Sequence, residues 1–205
     1  RFDRQALRTQ DIDVAQDPAI GIALAPSGDT EDVAEALTES KLGFHPIPEF
    51  DPRDPSTSFK VRGRDLRVDF LTPLRGPESS KPIFLPAFRV AAQPLRFLDY
   101  LIEQPAQAVI VGGSGILVNV PDPARFALHK LWTSQRRPVS EQAKVAKDLR
   151  QSELLIEVLL ADRPQDLVTA WEALGAHKSI HRLISKALDR LRDDLREPLQ
   201  AAIAS

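Results

Sequence analysis

Apolar and polar positions alternate with period 2 through the first part of the chain and recur at helical spacing through the second. Residues 7–15 alternate as a strand, with Ile12 and Val14 on one face and Asp11 and Asp13 on the other. Residues 27–44 read as a helix, with Asp29 or Thr30 as N-cap, acids in the first turn and Gly43 as the stop. The Pro- and Asp-rich run after it reads as a loop. Two β-type runs then flank Gly63 as a hairpin, placing Leu66, Val68 and Phe70 on one face and Arg67, Asp69 and Leu71 on the other. Residues 94–104 predict a short amphipathic helix with Pro94 in its first turn. Residues 106–122 predict two strands joined by the glycine-rich turn "VGGSG". From Pro123 onward the rhythm is helical, over 123–136, 140–161, 164–175 and 178–196. The pattern therefore predicts an α/β (α+β) domain over 1–121 and an all-helical domain over 122–205.

Composition narrows this picture only a little. The chain has 205 residues and a formal net charge of −2, so the total charge demands neither nucleic acid nor membrane. Residues 1–50 are acidic, whereas 60–67 and 125–150 lean basic. No apolar run approaches the roughly 18–20 residues of a transmembrane helix, and no signal-peptide pattern occurs. Cysteine is absent, so there is no disulfide framework and no thiolate metal site, which fits a cytoplasmic protein. The opening "RFDRQAL" lacks an initiator Met and is consistent with a cut inside a longer chain.

The candidate chemistry lies in acids borne on strands. Asp11 and Asp13 share one strand face, where two carboxylates repel unless a cation or a proton lies between them, or unless both stay hydrated on an open edge. Asp69 sits mid-strand between Val68 and Phe70, either as a third metal ligand or as an ion-pair partner of Arg67 or Arg62. His177 and His181 have i,i+4 spacing but no evident third ligand, and read as surface residues. "STS" at 56–58 either contacts a phosphate or caps a turn.

The runs "RTQDIDVA", "PSTSFKVRG", "RVDFLTPLRG", "PLRFLDYLIE" and "VNVPDPARFALHKLWTSQRR" resemble a bacterial nucleotidyltransferase-fold family. That family belongs to the DNA polymerase β-like superfamily and is related to abortive-infection toxin nucleotidyltransferases. The resemblance implies a mixed sheet with helices over 1–121 and a helical bundle over 122–205. The resemblance implies that Asp11, Asp13 and Asp69 ligate Mg²⁺ or Mn²⁺ and carry catalysis, Asp69 also helping to deprotonate the attacking hydroxyl. It implies an NTP substrate, with Arg8, Arg62, Lys130 and Lys147 as candidates for neutralising its phosphates. The acceptor would be an RNA end, a protein hydroxyl or a small molecule. The hydrophobic-Gly-Gly/Ser turn that the superfamily places ahead of its first acids does not occur in "RFDRQAL"; it lies upstream of Arg1 or is absent. Its absence would favour a catalytically inactive module that acts by binding a partner or nucleotide, as in a toxin–antitoxin or defence system.

Overall fold

The computed structural model describes residues 11–21, 32–111 and 113–204. The described residues form two compact units, one up to Ile102 and a second from Glu103 onward. The first contains strands β1 (Asp11–Ala15), β2 (Phe44–Pro46), β3 (Ser58–Val61), β4 (Arg67–Pro73), β5 (Ile83–Leu85) and β6 (Val90–Leu95) in one mixed sheet. Helices α1 (Pro18–Gly21), α2 (Val33–Glu39) and α3 (Leu98–Ile102) belong to the same unit.

Strand β4 organises this sheet. It pairs antiparallel with β3 and parallel with both β1 and β6. Its alternation is the reason: Val68 and Phe70 are buried, while Arg67 and Asp69 on the other face are only half-buried. Phe59 meets the Phe70 ring edge-on, with centroids 5.9 Å apart, inside a core that includes Phe44, Val61, Leu85 and Val90. Each such side chain withdrawn from water contributes about 1.5–3 kcal/mol. Gly63 holds φ +72° in the β3–β4 turn, a conformation that glycine adopts without steric cost. The expected hairpin is present, and the strand bearing Asp11 and Asp13 lies beside it. Asp17 ends β1: its carboxylate caps Ala19 N at 3.0 Å and meets Arg75 at 2.5 Å.

Several local expectations are corrected. Pro94 does not open a helix; it lies in β6, and the helix begins at Leu98. Leu95 O accepts from Leu74 N, so Leu95 faces β4 and Pro94 points its nitrogen the other way, beyond the end of the β5 pairing at Ala92. Its missing N–H therefore costs no ladder bond. The loop after Gly43 contains β2, paired through Phe44 and Val61. Asp29 and Thr30, the expected N-caps, lie outside the described residues; α2 is capped by Asp32, which accepts from Glu35 N at 3.0 Å.

In the second unit, β7 (Ala106–Ile110) and β8 (Ile116–Val120) form the expected antiparallel hairpin. Five helices follow: α4 (Pro123–Arg136), α5 (Gln142–Asp162), α6 (Pro164–Ala173), α7 (Lys178–Leu188) and α8 (Asp193–Ile203). Asp122 caps α4 by accepting from Ala124 N and Arg125 N. The apolar stripe Ala124, Ala127, Leu128 and Leu131 is fully buried; α4 packs against α5, α6 and α7, whose Ile156, Leu167 and Ile184 are fully buried too. The helix expected over 178–196 is in fact two. Leu191 is buried in the corner between α7 and α8, and Arg192 ties that corner to α5 through Glu153 and Glu157. No helix among the described residues is long and apolar enough to cross a membrane.

Candidate functional site

The parallel pairing of β1 with β4 sets Asp13 in register with Asp69, and Asp11 with Arg67. Register partners project to the same face of a sheet, so the three acids share one face. Ile12 and Val14 turn to the opposite face, with Val33, Leu37, Val68 and Phe70 around an apolar hollow. Asp11 and Asp13 are exposed, whereas the Asp69 side chain retains 18 % of its accessible surface.

Arg67 reaches across this face. Its Nε donates to Asp69 Oδ1 at 2.5 Å and its Nη2 donates to Ser58 Oγ at 2.9 Å. Of the two roles left open for Asp69, an ion pair with Arg67 is therefore present. Thr57 donates to Glu49 Oε1 from both its backbone N (2.9 Å) and its hydroxyl (2.6 Å), and Ser56 donates to Ile47 O at 2.7 Å. The hydroxyls of Ser56 and Thr57 thus fasten the 47–49 loop to the segment that leads into β3, whereas that of Ser58 serves Arg67. Between loop and sheet lies a cavity of about 320 Å³, lined by Glu49, Thr57, Ser58, Arg67, Asp69 and Gln93 among others. Its size is that of a small-ligand site, typically about 300–1,000 Å³.

Does this face suit a divalent ion? Carboxylate oxygens on adjacent strands are the donors that hard cations such as Mg²⁺ take, and the backbone register brings Asp13 and Asp69 side by side. Among the described residues, however, no three His, Cys, Asp or Glu side chains stand grouped to hold an ion. Register and donor chemistry fit; the side chains as they stand do not close a ligand shell, and Arg67 engages the Asp69 carboxylate.

The basic candidates are scattered. Arg8 lies outside the described residues. Arg62 is exposed in the β3–β4 turn and does not line the cavity. Lys130 and Lys147 belong to the second unit. Lys130 Nζ donates to the buried Asp148 at 2.9 Å, and Arg137 Nε donates to the other carboxylate oxygen at 2.7 Å. Burial opposes the charge on Arg137, but its bonds to Asp148 and Glu141 outweigh that and raise its pKa. Lys147 is exposed on α5. His129, beside Lys130, is pushed down to about 4 by burial and secondarily by the Lys130 charge. His181 packs on Trp171 with ring centroids 4.5 Å apart.

Glu49 and Gln93 are site residues that sequence reasoning missed. Arg67 and Ser58 are legible in the sequence: Arg67 shares the period-2 face of Asp69 as its expected ion-pair partner, and Ser58 belongs to "STS". Glu49 and Gln93 arrive from a loop and from β6, and only the folded sheet reveals them.

A family model described as a nucleotidyltransferase matches residues 1–175. No curated protein and no solved structure matches the chain.

Proposed function

Because the chain belongs to the nucleotidyltransferase family, we propose that it transfers NMP from an NTP to an acceptor hydroxyl on the acid-bearing face of its sheet. The observation that carries this reading is the parallel register of Asp13 with Asp69, with Asp11 on the same face. Asp11, Asp13 and Asp69 would hold Mg²⁺ or Mn²⁺. When bound, the ion supplies charge neutralisation at the phosphates, the main requirement of phosphoryl-type transfer. The acceptor oxygen bonds to the α-phosphorus, the bond to pyrophosphate breaks, and a carboxylate of Asp69 takes the hydroxyl proton. Arg67, already on this face, is the cation best placed to meet the triphosphate once it leaves Asp69. Arg8, Arg62, Lys130 and Lys147 are further candidates for that charge, and an RNA end, a protein hydroxyl or a small molecule for the acceptor.

The Arg67–Asp69 pair also favours a second reading, in which the face binds nucleotide or a partner without turnover. One experiment separates them: transfer of label from each α-³²P-NTP, with Mg²⁺ or Mn²⁺, to total RNA and protein extract. Product that disappears in Asp13→Asn and Asp69→Asn supports transfer, and nuclease or protease sensitivity identifies the acceptor. Nucleotide binding with no product from any NTP would leave the binding-only reading standing.

A further inference from the structure

Three basic side chains lie in one row across the sheet of the first unit. The register sets His45 of β2 opposite Lys60 of β3, and Lys60 opposite Arg67 of β4, which is itself opposite Asp11 of β1. Register partners project to one face, so the row crosses the acid-bearing face and ends at its first acid. The other face of the same strands is core, where Phe44, Phe59, Val61 and Val68 are buried. With strands ~4.8 Å apart, Lys60 stands roughly 10 Å from Asp11, a span comparable to an extended triphosphate.

Strand pairing gives no reason for this row. Like charges directly opposite each other destabilise a sheet, and Lys60 and Arg67 are such a pair. Arg67 is answered by Asp69. Lys60 has Asp65 across the turn at 3.6 Å, but the Asp65 side chain is 75 % exposed, and a pair so open to water contributes little. His45 Nδ1 is buried and meets no hydrogen-bond partner among the described residues. The Lys60 and Arg67 side chains stay accessible, at 43 % and 42 %, so a ligand can reach both.

We infer that Lys60 and His45, with Arg67, form the seat of the β- and γ-phosphates of the nucleotide. The identity of the ligand rests on the nucleotidyl-transfer reading. An NTP with its metal ion presents two signs of charge, a cation near the reacting phosphate and an anionic tail. Asp11, Asp13 and Asp69 suit the first, and the row beside them suits the second, so the triphosphate lies across the strands from β1 toward β2. An anion between Lys60 and Arg67 turns their repulsion into shared, charge-assisted hydrogen bonds, and the His45 ring adds an N–H donor. A nucleic-acid backbone fits less well, because its phosphates would continue past Arg67 into the carboxylates.

The test is isothermal titration of the 205-residue chain, free of metal and at low salt, with inorganic tripolyphosphate and separately with a uridine tetranucleotide. Lys60→Gln should raise the tripolyphosphate Kd about 10-fold, and His45→Gln about threefold. Lys178→Gln removes the same charge from the exposed start of α7 and should leave it unchanged. Lys60→Gln should also melt at or above the wild-type temperature, because it relieves a repulsion; a merely structural lysine would lower the melt. A wild-type chain that does not bind tripolyphosphate, an unchanged Kd in Lys60→Gln, or an equal loss in Lys178→Gln overturns the inference. A loss confined to the tetranucleotide overturns it in favour of an acceptor backbone. None of these readouts needs turnover. Tripolyphosphate binding that depends on Lys60 in a chain transferring no label leaves the row standing without the transfer reading, whereas normal transfer by Lys60→Gln at subsaturating NTP removes the row alone.

Discussion

Replacing Arg67 with Met removes the guanidinium and keeps most of the apolar stem, which isolates the charge on the acid-bearing face. If Asp69 is an ion ligand, Arg67 competes with the ion for the same carboxylate. Two unit charges ~4 Å apart attract by about 1 kcal/mol in bulk water and about 4 kcal/mol at an effective dielectric of 20. The Arg67 side chain is 42 % exposed, so solvent screening holds the pair near the lower figure. Removing about 1 kcal/mol of competition should tighten Mn²⁺ binding about fivefold. Titration followed by the electron paramagnetic resonance of free Mn²⁺, at neutral pH, reads this directly. The expected order of affinity is Arg67→Met, then wild type, then Asp69→Asn. A melt of Arg67→Met within about 2–4 °C of wild type, equivalent to about 1 kcal/mol, keeps loss of fold out of the comparison. If Asp69→Asn weakens binding but Arg67→Met leaves it unchanged or weaker, the competition argument is refuted. If Asp69→Asn binds Mn²⁺ as well as wild type, the carboxylate is not a ligand.

Other outcomes follow from the same structure. Asp148→Ala leaves Lys130 and Arg137 without their shared buried counter-charge, and should cost about 3–5 kcal/mol in a urea melt. His129 titrates at about 4 in the folded chain and at 6.5 unfolded, so the unfolded chain binds the extra proton between these values. Stability is therefore full above pH 6.5 and is lost as pH falls toward 4, by about 3 kcal/mol at most; a His129→Gln variant should show a flatter stability-versus-pH curve across that window. Phe59→Ala opens a hole beneath Phe70 and should cost about 3–5 kcal/mol by denaturant titration, whereas Arg62→Ala in the exposed turn should change stability by less than about 0.5 kcal/mol.

What can be read from the sequence follows the strength of its periodicity. The β3–β4 hairpin, the β7–β8 hairpin and α4 carry strong local signals: alternation about a glycine, or an apolar stripe behind a capping Asp and a Pro. Period 2 by itself also puts Asp11, Asp13 and Asp69 on strand faces. What pairs with β4 is not local information, because β1 and β6 join it in parallel from distant segments. Pro94 misleads for a physical reason: a proline at a strand position facing away from the ladder looks, in sequence, like one that opens a helix. The break between α7 and α8 is hidden because Leu188, Leu191 and Leu195 keep a helical spacing straight through the corner. The partner of Lys130 is likewise invisible, because Asp148 is brought to it by the packing of α4 on α5.

The parallel pairing of β1 with β4 also governs when the acid-bearing face comes into being. The β3–β4 hairpin closes over a short turn and can form in about 1–10 μs. A parallel neighbour cannot be reached by a hairpin; β1 must be brought back across more than half of its compact unit before Asp13 meets Asp69. Contacts of that sequence separation carry a loop-closure cost that local contacts do not, and they are made late. A chain stalled with its hairpin made and β1 undocked would hold Asp69 without Asp11 or Asp13 beside it. Any activity that needs all three acids is in that sense self-checking: it is switched on by completion of the sheet and is withheld from every incompletely folded copy.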